Sequence, residues 1–212
     1  MKITKLGHCC LVLETDGLKI MTDPGAFTIE AQESQTDIDI ILITHEHADH
    51  LHVESLKNLL EKNPNAHVVT NASVAAILHE QGIESTHIGE GEHAEVKGIK
   101  IEGFGTEHAE IFESFGQVEN TGYFVGEKFY FPGDSFTNPK KAIDILALPV
   151  AGPWMRIKNA VEYLQETKPK VAFGVHDGIM VPQMRGFGVA LFEKFCPDTK
   201  YYVIPDGSSK EF

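Results

Sequence analysis

Arginine is nearly missing from this chain. Arg156 and Arg185 are the only two in 212 residues, and 18 basic residues stand against 31 acidic ones, for a formal net charge of −13. A protein that tracks a phosphate backbone needs a basic stripe, so no nucleic-acid partner is expected. Cysteine is scarce too. Cys9, Cys10 and Cys196 are odd in number and lack metal-ligand spacing, which excludes a disulfide framework and fits a reduced, cytoplasmic setting. No apolar run reaches spanning length, and near the start Glu14, Asp16 and Lys19 interrupt the only approach to one. Neither a membrane segment nor a secretory leader is therefore expected. Low-complexity tracts, linkers and a nucleotide fingerprint are also missing. The acidic balance does not exclude a small anionic substrate, because bound cations dominate the local charge of a site.

The chain does have the makings of a core. A hydrophobic fraction of 42% and a charged fraction of 23% are ordinary for a globular protein, and the length suits one domain or one large two-lobed domain. "HCCLVLE" and "LKIMT" flank Thr15-Asp16-Gly17 as a hairpin. "IDIILIT" reads as a strand covered on both faces. Val53, Leu56, Leu59 and Leu60 follow helical spacing. A helix from Asn71 to Gln81 has Asn71 as N-cap and Gly82 as its stop. "EVKGIKIEGF" and "TGYFVGEKFYF" read as hairpins. In the last third, "IDILALPV", "KVAFGVH" and "KYYVI" are strands, alternating with helices at 156–167 and near 182–195. A two-sheet core with helices outside fits this order.

The chemistry concentrates at strand ends. "THEHADH", residues 44–50, sets His45, His47, Asp49 and His50 directly after the apolar run. His108, Asp134 and His176 follow later strands, and Asp23 follows "KIMT". Ligands at strand ends converge in space while staying distant in sequence. Imidazoles and carboxylates without thiolate suit zinc first, with manganese and iron as alternatives. His45 and His47, two apart in an extended segment, project to the same side. Asp49 and His50 are adjacent and point differently, so they can serve a second ion. Two divalent cations roughly 3.5–4 Å apart hold a shared water and make hydroxide available near neutral pH. Asp49 is the residue expected to orient that hydroxide and handle its proton.

"THEHADH" resembles the HxHxDH signature of the metallo-β-lactamase superfamily, and "FPGDS" and the histidine of "VAFGVH" stand in the order that family has. "GHCCLVL", Asp23-Pro24, "LPV" and "KPKVAFGVH" resemble its L-ascorbate-6-phosphate lactonase-like branch of metal-dependent hydrolases. The resemblance implies an α/β (α+β) fold, an αββα sandwich of two mixed sheets flanked by helices. It implies one domain over 1–212, built from similar halves at about 1–105 and 106–212. It implies one metal at His45, His47 and His108, another at Asp49, His50 and His176, and Asp134 bridging them along one edge. The activity implied is a dinuclear hydrolase whose metal-bound hydroxide attacks a small ester, lactone or phosphoester. A di-iron oxidoreductase on the same fold and a nuclease are the alternatives. Against the first, no flavin or rubredoxin domain is expected among these 212 residues, and against the second, no basic stripe is seen.

Single residues carry two readings each. Asp23 either braces a metal-bound histidine or opens the turn before Pro24. Trp154, the only tryptophan, either forms an apolar wall of the substrate pocket or packs the following helix on the sheet. His8 reads as a strand histidine, more often structural, and is left out of the site. His52, His67, His79, His87 and His93 lack a partner set. Cys9 and Cys10 are expected on opposite sides of a strand. Self-association is left open.

Overall fold

Alternation along the strands decides the layers. In the computed structural model, which describes residues 1–212, Ile40 and Leu42 enter one apolar cluster while Ile41 and Ile43 enter another. The same split separates Ile145 and Ala147 from Leu146 and Leu148. Strands apolar on both faces must be covered on both faces, and the result is four layers.

The first part runs β1 (Lys2–Gly7), β2 (Cys10–Thr15), β3 (Leu18–Thr22), α1 (Ile29–Glu33), β4 (Ile40–Ile43), α2 (Val53–Lys62), β5 (His67–Thr70), α3 (Ala72–Glu80) and β6 (Thr86–His87). The second runs β7 (His93–Val96), β8 (Ile99–Phe104), β9 (Gly122–Val125), β10 (Phe129–Phe131), β11 (Ile145–Pro149), α4 (Ile157–Thr167), β12 (Val171–Val175), α5 (Val189–Phe195), β13 (Lys200–Tyr202) and β14 (Ser208–Glu211). One sheet has the order β14-β1-β2-β3-β4-β5-β6, the other β13-β12-β11-β10-β9-β8-β7. Both are mixed: β3, β4, β5 and β6 pair in parallel, as do β10, β11, β12 and β13, and the rest pair antiparallel. This is the expected αββα sandwich. No helix is long and apolar enough to cross a membrane.

The largest cluster lies between the sheets and includes Cys9, Leu11, Tyr123, Phe129 and Phe173. Leu56, Leu59, Val74 and Leu78 of α2 and α3 cover one outer face, joined by Cys10. Ala160, Tyr163, Leu164 and Phe192 of α4 and α5 cover the other, joined by Cys196. Each buried cysteine thus belongs to a different layer. Asn71 caps α3 as expected, its side chain accepting from Val74 N at 3.1 Å.

Several elements depart from the sequence reading, and α1 and β6 have no counterpart in it. His8 and Cys9 form a turn between β1 and β2 rather than the start of a strand, and His8 has φ 50°. The helix expected near 182–195 is a short 3₁₀ segment, Pro182–Met184, followed by α5. Gly186 and Gly188 lie in the break, where glycine's backbone freedom weighs against helix. β14 has no apolar alternation at all; it forms because the edge of β1 offers it a ladder, Lys2 to Lys5 pairing with Glu211 to Ser208.

Candidate metal centre

Parallel strands end at a common edge, and side chains just beyond their carboxyl ends meet there. β3 delivers Asp23, β4 delivers Thr44 and the histidine segment, β10 delivers Asp134, and β12 delivers His176. β8 leads into the loop that carries His108. The turn Asp23-Pro24-Gly25 packs on the histidine segment so closely that a Cβ at Gly25 would overlap the Asp49 carbonyl. Ala26 N bonds Ala48 O at 2.7 Å and His52 N bonds Pro24 O at 3.0 Å, which fixes the segment from behind.

Two groups of candidate ligands result. The ligand atoms of His45, His47 and His108 lie within 4.8 Å of one another, and so do those of His8, Asp49, His50 and His176. Asp134 sits between them. Its Oδ2 is 3.2 Å from His108 Nε2, 3.9 Å from His45 Nε2 and 2.8 Å from His176 Nε2, and its Oδ1 is 3.3 Å from His50 Nε2. All seven residues read from the sequence as ligands therefore share one site. His45, His50, His108, Asp134 and His176 are buried, while His47 and Asp49 reach the opening.

The hydrogen bonds around the rings fix where each proton sits. Asp23, fully buried, accepts from Thr44 N (2.8 Å), Thr44 Oγ1 (2.7 Å) and His50 Nδ1 (2.7 Å). The Thr44 hydroxyl, having donated to Asp23, can only accept from His45 Nδ1 at 3.0 Å. His108 Nδ1 donates to Ala109 O. All three rings thus carry a proton on Nδ1 and turn Nε2 inward, the pattern that orients a metal-ligating histidine. His45 Nε2, His50 Nε2, Asp134 Oδ1 and both ring nitrogens of His176 are buried with no hydrogen-bond partner. Leaving such atoms unpartnered costs about 1–3 kcal/mol each. A cation satisfies several at once, including the face-to-face lone pairs of His108 Nε2 and Asp134 Oδ2. The residues fit a metal.

Charge in the site follows from the same contacts. Burial, helped by the His50 ring, holds the His45 pKa well below the usual histidine range. Burial alone would lower His50 as well, but Asp134 and Asp23 outweigh it and raise the pKa well above that range. His176 is pushed up to about 9 against burial by Asp134 and Asp49. Asp134 and Asp49 are held well below the usual carboxylate range although burial opposes it, Asp134 chiefly by His50 and Asp49 chiefly by His176.

Two residues sit differently from the sequence reading. Trp154 is not only apolar surface: its Nε1 donates to Asp134 Oδ2 at 3.1 Å, and its ring packs edge-on against His108 and His176. Trp154 also lines a cavity of about 330 Å³ with Ile111, Pro153, Met155 and Arg156. His8, left out on sequence, is buried in the site with Nε2 3.0 Å from Asp49 Oδ2, and burial lowers its pKa to about 4. The signal that could have found it is Gly7 before a histidine between two apolar runs, a turn rather than a strand. Cys9 Sγ lies near His50 and Asp134, but burial first and Asp134 second push its pKa well above the usual thiol range, so it stays a thiol.

Comparison with known proteins gives consistent matches. The family model described as the β-lactamase superfamily domain matches residues 2–176. Protein Rv0786c of Mycobacterium tuberculosis is 34% identical over 217 residues, covering 100% of both chains. A UPF0173 metal-dependent hydrolase of Thermoplasma acidophilum is 29% identical over 192 residues, 83% of each chain. Among solved structures, Igni18, a metallo hydrolase from the archaeon Ignicoccus hospitalis, aligns with a TM-score of 0.80 at 21% identity, covering 100% of this chain and 98% of that one. At that identity the likeness shows the fold alone.

Proposed function

Since this chain belongs to the β-lactamase superfamily, we propose that it is a metal-dependent hydrolase with two divalent cations, zinc by preference, acting on a small ester, lactone or phosphoester. The observation that carries the reading is the proton placement: Asp23, Thr44 and Ala109 lock His45, His50 and His108 so that each Nε2 faces the same buried carboxylate, Asp134. His45, His47 and His108 would hold one cation and Asp49, His50 and His176 the other, with Asp134 serving both. When bound, the cations supply Lewis-acid charge for the oxygens of a hydrolytic transition state and lower the pKa of water. Imidazole and carboxylate donors without thiolate favour zinc over softer choices, and manganese or iron are the alternatives.

The chain's own residues do the rest. Asp49 keeps 24% of its side chain exposed, so its carboxylate meets the solvent side where a substrate arrives and can accept a proton from an attacking water. Asp23 holds His50 from behind, and the Trp154 N–H holds Asp134 in place. The Trp154 cavity beside the site is a place for the part of the substrate that does not react, and its walls would set specificity more than the metals do.

The test begins with elemental analysis of protein purified without added metal. The metal-free protein is then reloaded and assayed on lactones, phosphodiesters and thioesters at equal occupancy. Two ions per chain and hydrolysis in one class are expected, with His47→Ala lowering the load and abolishing turnover. Full occupancy and undiminished turnover in that variant would sink the ligand assignment. Bound iron, with oxygen consumption in place of hydrolysis, would replace the reading by an oxidoreductase.

A further inference from the structure

We propose that His8 is not a metal ligand but a positioning residue, which donates its Nε2 proton to Asp49 Oδ2 and holds that carboxylate toward the cation. The proposal rests on the reading above, in which Asp49, His50 and His176 hold one ion. Proximity alone argues otherwise, because His8 lies within 4.8 Å of these three as if it were a fourth ligand.

The hydrogen bonds separate His8 from the other rings. Gly178 N lies 3.2 Å from His8 Nδ1. A backbone amide only donates, so Nδ1 is the acceptor and the proton of the neutral ring is on Nε2. That Nε2–H points at Asp49 Oδ2, 3.0 Å away. His45, His50 and His108 have the opposite arrangement, with the proton on Nδ1 facing outward. A nitrogen that carries a proton has no lone pair for a metal. His8 is built to give a hydrogen bond where its neighbours are built to accept a cation.

The fold enforces this ring position from two sides. His8 occupies a left-handed turn residue between β1 and β2, and its carbonyl accepts from His176 N at 3.3 Å. Phe27 and His176 flank the ring, with centroids 4.9 and 4.1 Å away. The amide approaches closely because residue 178 has no side chain: a Cβ at Gly178 would lie 2.9 Å from His8 Nδ1. The turn after β1 and the loop after β12 thus meet on one imidazole. Asp49 needs such a hold, since it sits at the opening with solvent as a competing partner. Its Oδ2 spends one lone pair on His8 and keeps the other side toward His50 Nε2 and His176 Nε2, 3.7 and 3.5 Å away.

The experiment titrates metal-free protein with Zn²⁺ against a chromophoric chelator, and with Co²⁺ followed by its visible absorption. Wild type is compared with His8→Ala, His8→Phe and His8→Gln. His8→Ala and His8→Phe are expected to weaken one of the two ions by roughly ten- to a hundredfold, the usual effect of losing an outer-shell partner, and to leave the other unchanged. His8→Gln places an amide N–H where Nε2–H was and is expected to recover most of the affinity, with the wild-type cobalt spectrum. Thermal melts of the metal-free proteins check folding, and His8→Gln keeps the comparison available if the truncated variant does not fold. Unchanged affinity for both ions in a folded His8→Phe overturns the proposal. So does a His8→Gln variant that melts like wild type yet binds as weakly as His8→Ala with an altered cobalt spectrum, the outcome for a lost ligand. A wild-type protein that binds no cation fails the parent reading, which is a different result from two ions bound alike in every variant.

Discussion

Replacing Asp23 by asparagine exchanges one buried oxygen for nitrogen, yet it is expected to disturb both cation subsites. Asp23 Oδ1 accepts from Thr44 N, and Oδ2 accepts from Thr44 Oγ1 and His50 Nδ1. In Asp23→Asn the remaining oxygen is claimed by the backbone amide, so the new NH₂ faces the threonine hydroxyl and the His50 ring. The hydroxyl then becomes the acceptor and turns its own hydrogen to His45 Nδ1, 3.0 Å away. The proton of His45 moves to Nε2, and His50 is driven the same way. Both inward nitrogens lose the lone pair a cation needs. Restoring it sets N–H against N–H, at a cost of about 1–3 kcal/mol per ring, roughly ten- to a hundredfold in affinity per ion. Long-range ¹H–¹⁵N correlation of the imidazoles in metal-free protein reads the His45 tautomer directly, and zinc titration reads the affinities. If His45 keeps its proton on Nδ1 in the variant, or both ions bind within about a factor of two of wild type, the reasoning is wrong.

Asp134→Ala should weaken both ions together, since Asp134 faces His45, His50, His108 and His176; loss of one ion alone, by elemental analysis, would refute a shared position. Trp154→Phe keeps a ring and removes the N–H to Asp134, so a lower ion affinity with little change in melting is expected. Trp154→Ala should in addition shift relative rates across a substrate panel, and a uniform loss with a lower melting temperature would assign Trp154 to packing. A pH dependence is expected away from the site, at Glu102. Burial alone would raise its pKa, but Lys141 and Lys100 outweigh burial and hold it below the usual range. A depressed folded pKa gives stability that is complete above the unfolded value and lost as pH falls through the folded one. The penalty of Lys141→Met, on the order of 1 kcal/mol or less for a partly exposed pair, should be present at pH 7 and shrink toward about pH 3; equal destabilisation at both would count against the pairing.

What could be read from sequence was what is local or tied to a strand end. His45, His47, Asp49 and His50 lie within six residues, so their nearness needs no fold. His108, Asp134 and His176 are legible because apolar strands precede them and parallel strands end on one edge. Asp23 stayed between two readings because its partner, His50, is 27 residues away and no spacing rule links a turn carboxylate to a distant ring. His8 was hidden by its context. The run "HCCLVLE" suggests a strand, and only the positive φ of His8 turns the ring toward Asp49. The helix expected near 182–195 is split around Gly186 and Gly188, where glycine's backbone freedom costs a helix about 1 kcal/mol per residue. β14, "SSKE", carries no pattern of its own, and its existence depends on an unpaired edge that only the tertiary structure reveals.

Cys9, Cys10 and Cys196 fall one to a layer: between the sheets, under α2 and α3, and under α4 and α5. All three are free thiols, buried, with pKa raised by burial, so a thiol-specific reagent reaches each only when its own layer opens. The chain therefore carries a native set of three clocks. Timed labelling with mass-spectrometric readout reports an opening free energy for each layer without any engineered probe. If the stack opens as one cooperative unit, the three labels appear together. If a helical layer peels from its sheet first, Cys10 or Cys196 is marked while Cys9 stays silent, and the order of labelling identifies which side of the sandwich is the weaker.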